Sequence, residues 1–127
     1  MLVFDTNFLI SFLKGDQIAK QKLQSYGEPI TTTAINAFEL LYGYYLVKNS
    51  KAVENAMGLL KSISTLAFDL EASGIAGRIA ADLASKGKML EHMDILTAAI
   101  ALRYNATLVT KNIRHFSRIQ KLRIESW

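Results

Sequence analysis

The sequence predicts an α/β domain, a parallel sheet of four to five strands flanked by helices on both faces. Three observations predict it. Short runs such as Leu2-Val3-Phe4 are apolar without alternation, so both faces of each strand are covered, as in a parallel sheet. These runs alternate with longer segments of helical spacing, which implies right-handed crossovers between parallel strands. The length, 127 residues, suits one domain spanning residues 1–127, and a domain near this size buries about two thirds of its unfolded surface.

The elements follow in order. Leu2-Val3-Phe4 is the first strand and ends on Asp5. Residues 6–14 crowd Phe8, Leu9, Ile10, Phe12 and Leu13 into a helix that Gly15 closes. Asp16 caps a second helix carrying Ile18, Ala19 and Leu23, which stops near Gly27. Residues 29–32 form the second strand, with the only proline at its entrance, where no ladder donor is lost. Thr33 caps a helix in which Ile35, Phe38, Leu41, Tyr42 and Tyr45 recur at helical spacing; its aromatic residues, Phe38, Tyr42, Tyr44 and Tyr45, read as core and packing surface rather than a base-stacking platform, and the faces around Phe38, Tyr42 and Tyr45 suit either core or a protein contact. After a break at Asn49 and Ser50, another helix reaches Lys61. Residues 65–68 are the third strand, and Asp69 caps a long Ala-rich helix over residues 70–85 that Gly87 stops. A further helix starts between Glu91 and Asp94 and runs to Tyr104, with Asn105 as its turn residue. Residues 107–110 are the fourth strand, and residues 122–124 add a short fifth.

Composition narrows the function classes. Cysteine is absent, so neither a disulfide framework nor a thiolate metal site is available, which suits a cytoplasmic protein. Asp5 and Asn7 interrupt the N-terminal apolar stretch and no later window is long enough to cross a bilayer, so the expectation is a soluble, unexported protein without a membrane partner. The formal net charge of +4 is compatible with a polyanion, and its position sharpens the point. Lys111, Arg114, Arg118, Lys121 and Arg123 crowd the last third.

Four polar sites stand out. Asp5 ends the first strand, at the sheet edge where α/β folds bind ligands. Glu39 lies among Ala37, Phe38, Leu40 and Leu41. Asp94 opens an otherwise apolar helix, Thr97 excepted. Thr110, Asn112 and His115 follow the fourth strand. A carboxylate among apolar neighbours is expensive unless paired or bound to a cation, so the economical reading is that these acids converge. Like charges brought together repel unless a divalent ion neutralises them. Oxygen ligands with two histidines and no cysteine favour Mg²⁺ or Mn²⁺ over zinc. Each acid also has a purely structural reading. Asp5 and Asp94 suit helix starts, Glu39 a solvated helix face, Asp69 a cap and His115 a surface position.

The ordered set resembles a known family. Phe4-Asp5-Thr6-Asn7 at the start, Glu39 after the second strand, Asp94-Ile95-Leu96-Thr97-Ala98-Ala99, Leu108-Val109-Thr110-Lys111-Asn112 with His115-Phe116, and the closing Leu122-Arg123-Ile124-Glu125-Ser126-Trp127 look like a PIN-domain protein of the VapC toxin type. The resemblance spans nearly the whole chain. It implies a single PIN-like nuclease domain, an endoribonuclease that uses Mg²⁺ with Mn²⁺ as substitute, a cognate antitoxin protein and a homodimer. It carries Asp5, Glu39 and Asp94 over as the first three acids, catalytic and metal-binding. His115 stands where many members have Asp, and Asn112 holds another position where an acid is sometimes found, so ligation of a second metal is open. Glu91, three residues before Asp94, is a possible extra acid.

Residue chemistry then assigns the remaining roles. Thr6, Asn7, Thr110, Asn112 and His115 are suited to orienting carboxylates or a phosphate oxygen, and Lys111, Arg114 and Arg118 to guiding an RNA backbone, a salt-sensitive contribution without sequence information. A metal-activated water attacking phosphorus leaves a 5′-phosphate and a 3′-hydroxyl. The rivals are a structure-specific DNA nuclease, a catalytically impaired RNA-binding or interaction protein, a response-regulator receiver and a haloacid dehalogenase-like phosphatase. Receivers need paired acids after the first strand, where Thr6 and Asn7 stand. The phosphatases generally need a second Asp at the place of Asn7.

Overall fold

A computed structural model describes residues 1–127 as five short strands threaded between seven helices. The order is β1 (Leu2–Phe4), α1 (Thr6–Leu13), α2 (Gln17–Tyr26), β2 (Thr31–Thr33), α3 (Ala34–Leu46), α4 (Ser50–Ser62), β3 (Ser64–Leu66), α5 (Leu70–Ser85), α6 (His92–Arg103), β4 (Thr107–Val109), α7 (Ile113–Phe116) and β5 (Arg123–Glu125). Every strand pairing is parallel, as expected of strands joined by helices. No helix is long and apolar enough to cross a membrane.

The strands form two hydrogen-bonded ladders rather than one continuous sheet. β1 pairs with β4 (Leu2 opposite Thr107, Phe4 opposite Val109) and β4 with β5, while β2 and β3 make a separate pair. β2 lies beside β1, and the Thr32 hydroxyl donates to the Phe4 carbonyl at 2.7 Å, a side-chain tie at the junction. The first three strands thus step one way from β1, whereas β4 and β5 lie on its other side. This reversal opens a crevice at the carboxyl ends of β1 and β4.

Alternation along the central strands shows why they are apolar throughout. Val3 and Leu108 enter one core with Leu83, Leu90, Ile95, Ala98, Ala99 and Phe116. Phe4 and Val109, the next residues, enter a second with Phe8, Leu9, Leu40 and Trp127. Successive residues face opposite ways, so each strand serves both cores. In the second, the Phe4 and Phe8 rings lie 4.4 Å apart and Trp127 meets Phe8 edge-on at 5.1 Å.

Local chemistry sets the helix ends. Asp5, Asp16, Thr33, Asn49 and Asp69 each cap a helix with a side-chain oxygen on an early backbone N–H, worth about 1 kcal/mol apiece. Gly27 closes α2 at φ +64°, a left-handed conformation that side chains resist.

Boundaries differ from expectation in places. β2 begins at Thr31, not Pro29, and Thr33 is both its last residue and the cap of α3. β3 covers Ser64–Leu66, leaving Phe68 outside, and β5 is displaced by one residue. The four-residue α7 was not expected. The larger correction concerns α3. It turns Asn36 and Leu40 inward, so Phe38, Tyr42 and Tyr45 stand 53%, 57% and 63% exposed and are not core. Leu46 and Val47 extend this apolar stripe, whereas Phe8 is fully buried.

Candidate active site

Asp5 emerges where β1 ends and α1 begins, and it serves both. Its Oδ1 accepts from the Phe8 backbone N–H at 3.0 Å, capping α1. Its Oδ2 accepts from the Thr110 hydroxyl at 2.5 Å, across from the end of β4. Thr110 is fully buried, and its oxygen also accepts from the Asn112 N–H at 3.0 Å. The structural and functional readings of Asp5 therefore coexist, because the same bonds that cap the helix fix the carboxylate at the sheet edge.

Glu39 reaches the same place from α3. The Thr6 hydroxyl donates to Glu39 Oε1 at 2.9 Å, and the Asn36 amide donates to that hydroxyl, also at 2.9 Å. Asp94, in the first turn of α6, brings a third carboxylate. Asp5, Thr6, Asn7, Glu39, Asp94 and Asn112 line one cleft of about 150 Å³, floored by Asn36, Thr97 and Phe116. The last three were absent from the expected site. A signal existed for Asn36, which precedes Glu39 by three residues and so shares its helix face; Thr97 bears the same relation to Asp94.

Burial raises all three acids, and neighbouring carboxylates add to the effect at Glu39 and Asp94. Burial pushes the Asp5 carboxyl above its ordinary value, against the opposing effects of the Thr110 and Phe8 bonds and the nearby Lys111 charge. Burial likewise raises Glu39, opposed by the Thr6 bond and reinforced by the Asp94, Asp5 and Glu91 charges. Asp94 is raised by burial and by Glu91, with His115 pulling the other way. Such a cluster suits a cation, and its donors are carboxylate, hydroxyl and amide oxygens, which suit a hard one. The acids do not close a cage, since no three acidic or histidine side chains stand within mutual ligating range. An ion held by one or two carboxylates with water completing its shell fits this arrangement, the coordination Mg²⁺ favours.

The remaining expected residues divide. Glu91 and His115 are exposed, outside the cleft lining, and bear on Asp94 through their charge. His115 Nδ1 and the Asn112 amide lie 2.9 Å apart. Lys111 sits over the Trp127 ring, 4.0 Å from its centroid. Arg114 is exposed on α7. Arg118 turns elsewhere, donating to the Met89 carbonyl at 3.4 Å and lining a separate cleft with Arg78 and Lys121. Of these three basic residues, Arg118 lines a cleft other than the one that holds the acids.

Comparison with known proteins adds to this geometry. The PIN domain family matches residues 2–122. Ribonuclease VapC2 of Rickettsia felis is 30% identical over 107 residues, covering 84% of this chain and 80% of its own length. The tRNA(fMet)-specific endonuclease VapC of Salmonella typhimurium is 29% identical over 130 aligned positions, covering 98% and 96%. Among solved structures, VapBC2 from Rickettsia felis, bound to a DNA fragment from its promoter, matches with a TM-score of 0.88 at 27% identity, covering 99% of this chain and 98% of the other. DNA-bound VapBC from Salmonella typhimurium matches with a TM-score of 0.82 at 28% identity, covering 99% and 97%.

Proposed function

The chain belongs to the PIN-domain family, and on that premise we propose that it is a metal-dependent endoribonuclease, the toxin of a VapBC-type toxin–antitoxin pair. The observation that carries the reading is the convergence of Asp5, Glu39 and Asp94 in one polar cleft, each acid raised by burial, Glu39 and Asp94 also by like-charged neighbours. Resemblance to relatives named as ribonucleases supplies the substrate class.

A divalent cation, Mg²⁺ or Mn²⁺, supplies charge neutralisation at the scissile phosphate and a more acidic water when bound. Asp5 and Asp94 are the residues to hold it, directly or through water. Asp5 is the more rigid, because Thr110 and the Phe8 N–H fix both its oxygens. Glu39 completes the ligand set or accepts a hydrogen bond from the attacking water, with Thr6 fixing its Oε1 and leaving Oε2 for the cleft. Asn7 and Asn112, neutral donors on the cleft wall, can bond a phosphate oxygen without adding charge to an already acidic site. Lys111 can offset backbone charge beside Asp5. Attack in line with the departing 3′-oxygen leaves 5′-phosphate and 3′-hydroxyl ends and needs no 2′-hydroxyl.

The deciding experiment is to purify the chain free of partners, incubate total cellular RNA with Mg²⁺, Mn²⁺ or chelator, and map the ends. Cleavage that needs the metal and leaves 5′-phosphates is expected. Persistence in chelator, or 2′,3′-cyclic phosphate ends, overturns the mechanism. Matched RNA and DNA substrates at equal metal separate a ribonuclease from a DNA nuclease, and tRNA(fMet) is the first defined substrate to try, given the relative named for it.

The exposed stripe of Phe38, Tyr42, Tyr45, Leu46 and Val47 on and beyond α3 is the surface we assign to a protein partner, the antitoxin or a second copy. It belongs to the helix that carries Glu39, so a bound antitoxin lies within reach of the site. Size-exclusion chromatography with light scattering tests the homodimer, and the compartment expected for such a pair is the cytoplasm.

A further inference from the structure

Asn36 lies 2% exposed on α3, and its side chain connects two threonines whose other bonds fix its orientation. Thr33 Oγ1 accepts from the Asn36 backbone N–H at 3.1 Å and donates its single proton to Asn36 Oδ1 at 2.8 Å. The amide nitrogen must then face the other way, where it donates to Thr6 Oγ1 at 2.9 Å. Thr6 also has one proton, and with its oxygen accepting from Asn36 that proton goes to Glu39 Oε1. From Thr33 to Glu39 the relay runs in one direction.

We infer that Asn36 is a positioning residue for the cleft, acting through Thr6 to hold Glu39 as a hydrogen-bond acceptor with its second oxygen turned toward the metal and water. The inference rests on the nuclease reading and deepens it by assigning the group that sets Glu39. Direction is the point. An Asn side chain presents donors to Thr6, whereas an Asp in its place presents only acceptors, draws the Thr6 proton back, and leaves Glu39 Oε1 without a donor. The two side chains have nearly the same shape, so their difference reports bond direction together with the added carboxyl charge, not packing, and the neutral Asn36→Ala and Thr6→Val cycle isolates the bond.

The test is a double-mutant cycle of Asn36→Ala and Thr6→Val, with Asn36→Asp as the shape-preserving variant. Three measurements are made on each protein: Mn²⁺ affinity by electron paramagnetic resonance without RNA, kcat and KM for RNA cleavage, and melting temperature, so that the assays run well below unfolding. Asn36→Ala is expected to weaken Mn²⁺ binding and lower kcat by about tenfold, the scale of such supporting interactions, with KM little changed. In the Thr6→Val background the same substitution should add nothing, because the relay is already cut. Asn36→Asp should lower kcat at least as far as Asn36→Ala. Independent, additive effects of the two substitutions, or wild-type kcat in Asn36→Asp, overturn the relay while leaving the nuclease reading intact. Failure of the unaltered protein to bind Mn²⁺ or cleave RNA overturns that reading and this inference with it.

Discussion

Asp5 has both carboxylate oxygens engaged before any ligand arrives, one by the α1 backbone and one by Thr110. This double use gives its substitutions separable effects. Asn caps a helix about as well as Asp, so Asp5→Asn should keep the α1 cap, lose the acceptor for the Thr110 hydroxyl, and reduce cleavage at least about a hundredfold; cleavage assays beside thermal melts check it. Asp5→Ala removes the cap as well, and its unfolding free energy should fall by a further ~1 kcal/mol. Thr110→Val leaves Asp5 Oδ2 buried without its donor, at a cost of about 1–3 kcal/mol, read as a lower urea midpoint at unchanged slope. The three acids were legible in the sequence because charge among apolar residues demands a reason. Asn36 was less so: its spacing from Glu39 was readable, but an uncharged amide makes no such demand, and its partner Thr6 lies 30 positions away.

Helices were the most readable elements because their ends announce themselves, Asp16 and Gly27 for α2, Asp69 and Gly87 for α5. The face a helix buries was harder to read. The aromatic residues of α3 suggested that they point inward, but α3 buries Leu40 in the second core and Asn36 at the cleft instead, and polar partners from Thr6 and Thr33 make the burial of Asn36 tolerable. β2 was placed early, from the proline at its entrance, whereas its residues are three buried threonines beside β1, of which Thr32 bonds the Phe4 carbonyl. The four residues of α7 are too few for any periodicity to show. α6 is the element with least freedom. Ala98, Ala99 and Ala101 are fully buried, and α5 packs closely against it. Ala99→Leu should therefore destabilise by about 1–3 kcal/mol through overpacking, seen in the melting curve, and should lower cleavage too by displacing Asp94 one turn earlier.

The molecule as a whole couples pH, metal and stability. Asp5, Glu39 and Asp94 have folded-state pKa values above their ordinary 3.8 to 4.5. The folded protein therefore holds more protons than the unfolded one, so their contribution to stability is full below those ordinary values and is lost as pH rises through the raised ones. Asp69, lowered chiefly by the Ala72 N–H, runs the opposite way, its contribution present above 3.8 and lost on acidification. In chelator, the melting temperature should fall as pH rises from the ordinary carboxylate values through the raised ones, less so in Asp5→Asn. Added Mg²⁺ should invert this trend because it binds the ionised acids, giving about 2.7 kcal/mol at a hundredfold excess over Kd and less at each step toward acid. Scanning calorimetry across that range checks both signs. The pairing of β1 with β4 has one last consequence, concerning birth rather than equilibrium. Asp5 and Thr110 are 105 positions apart, so a ribosome must add that whole stretch before the first carboxylate can meet its hydroxyl. Until then a nascent copy has the first acid without the strand that fixes it, and the cleft forms only with long-range pairing, late in folding.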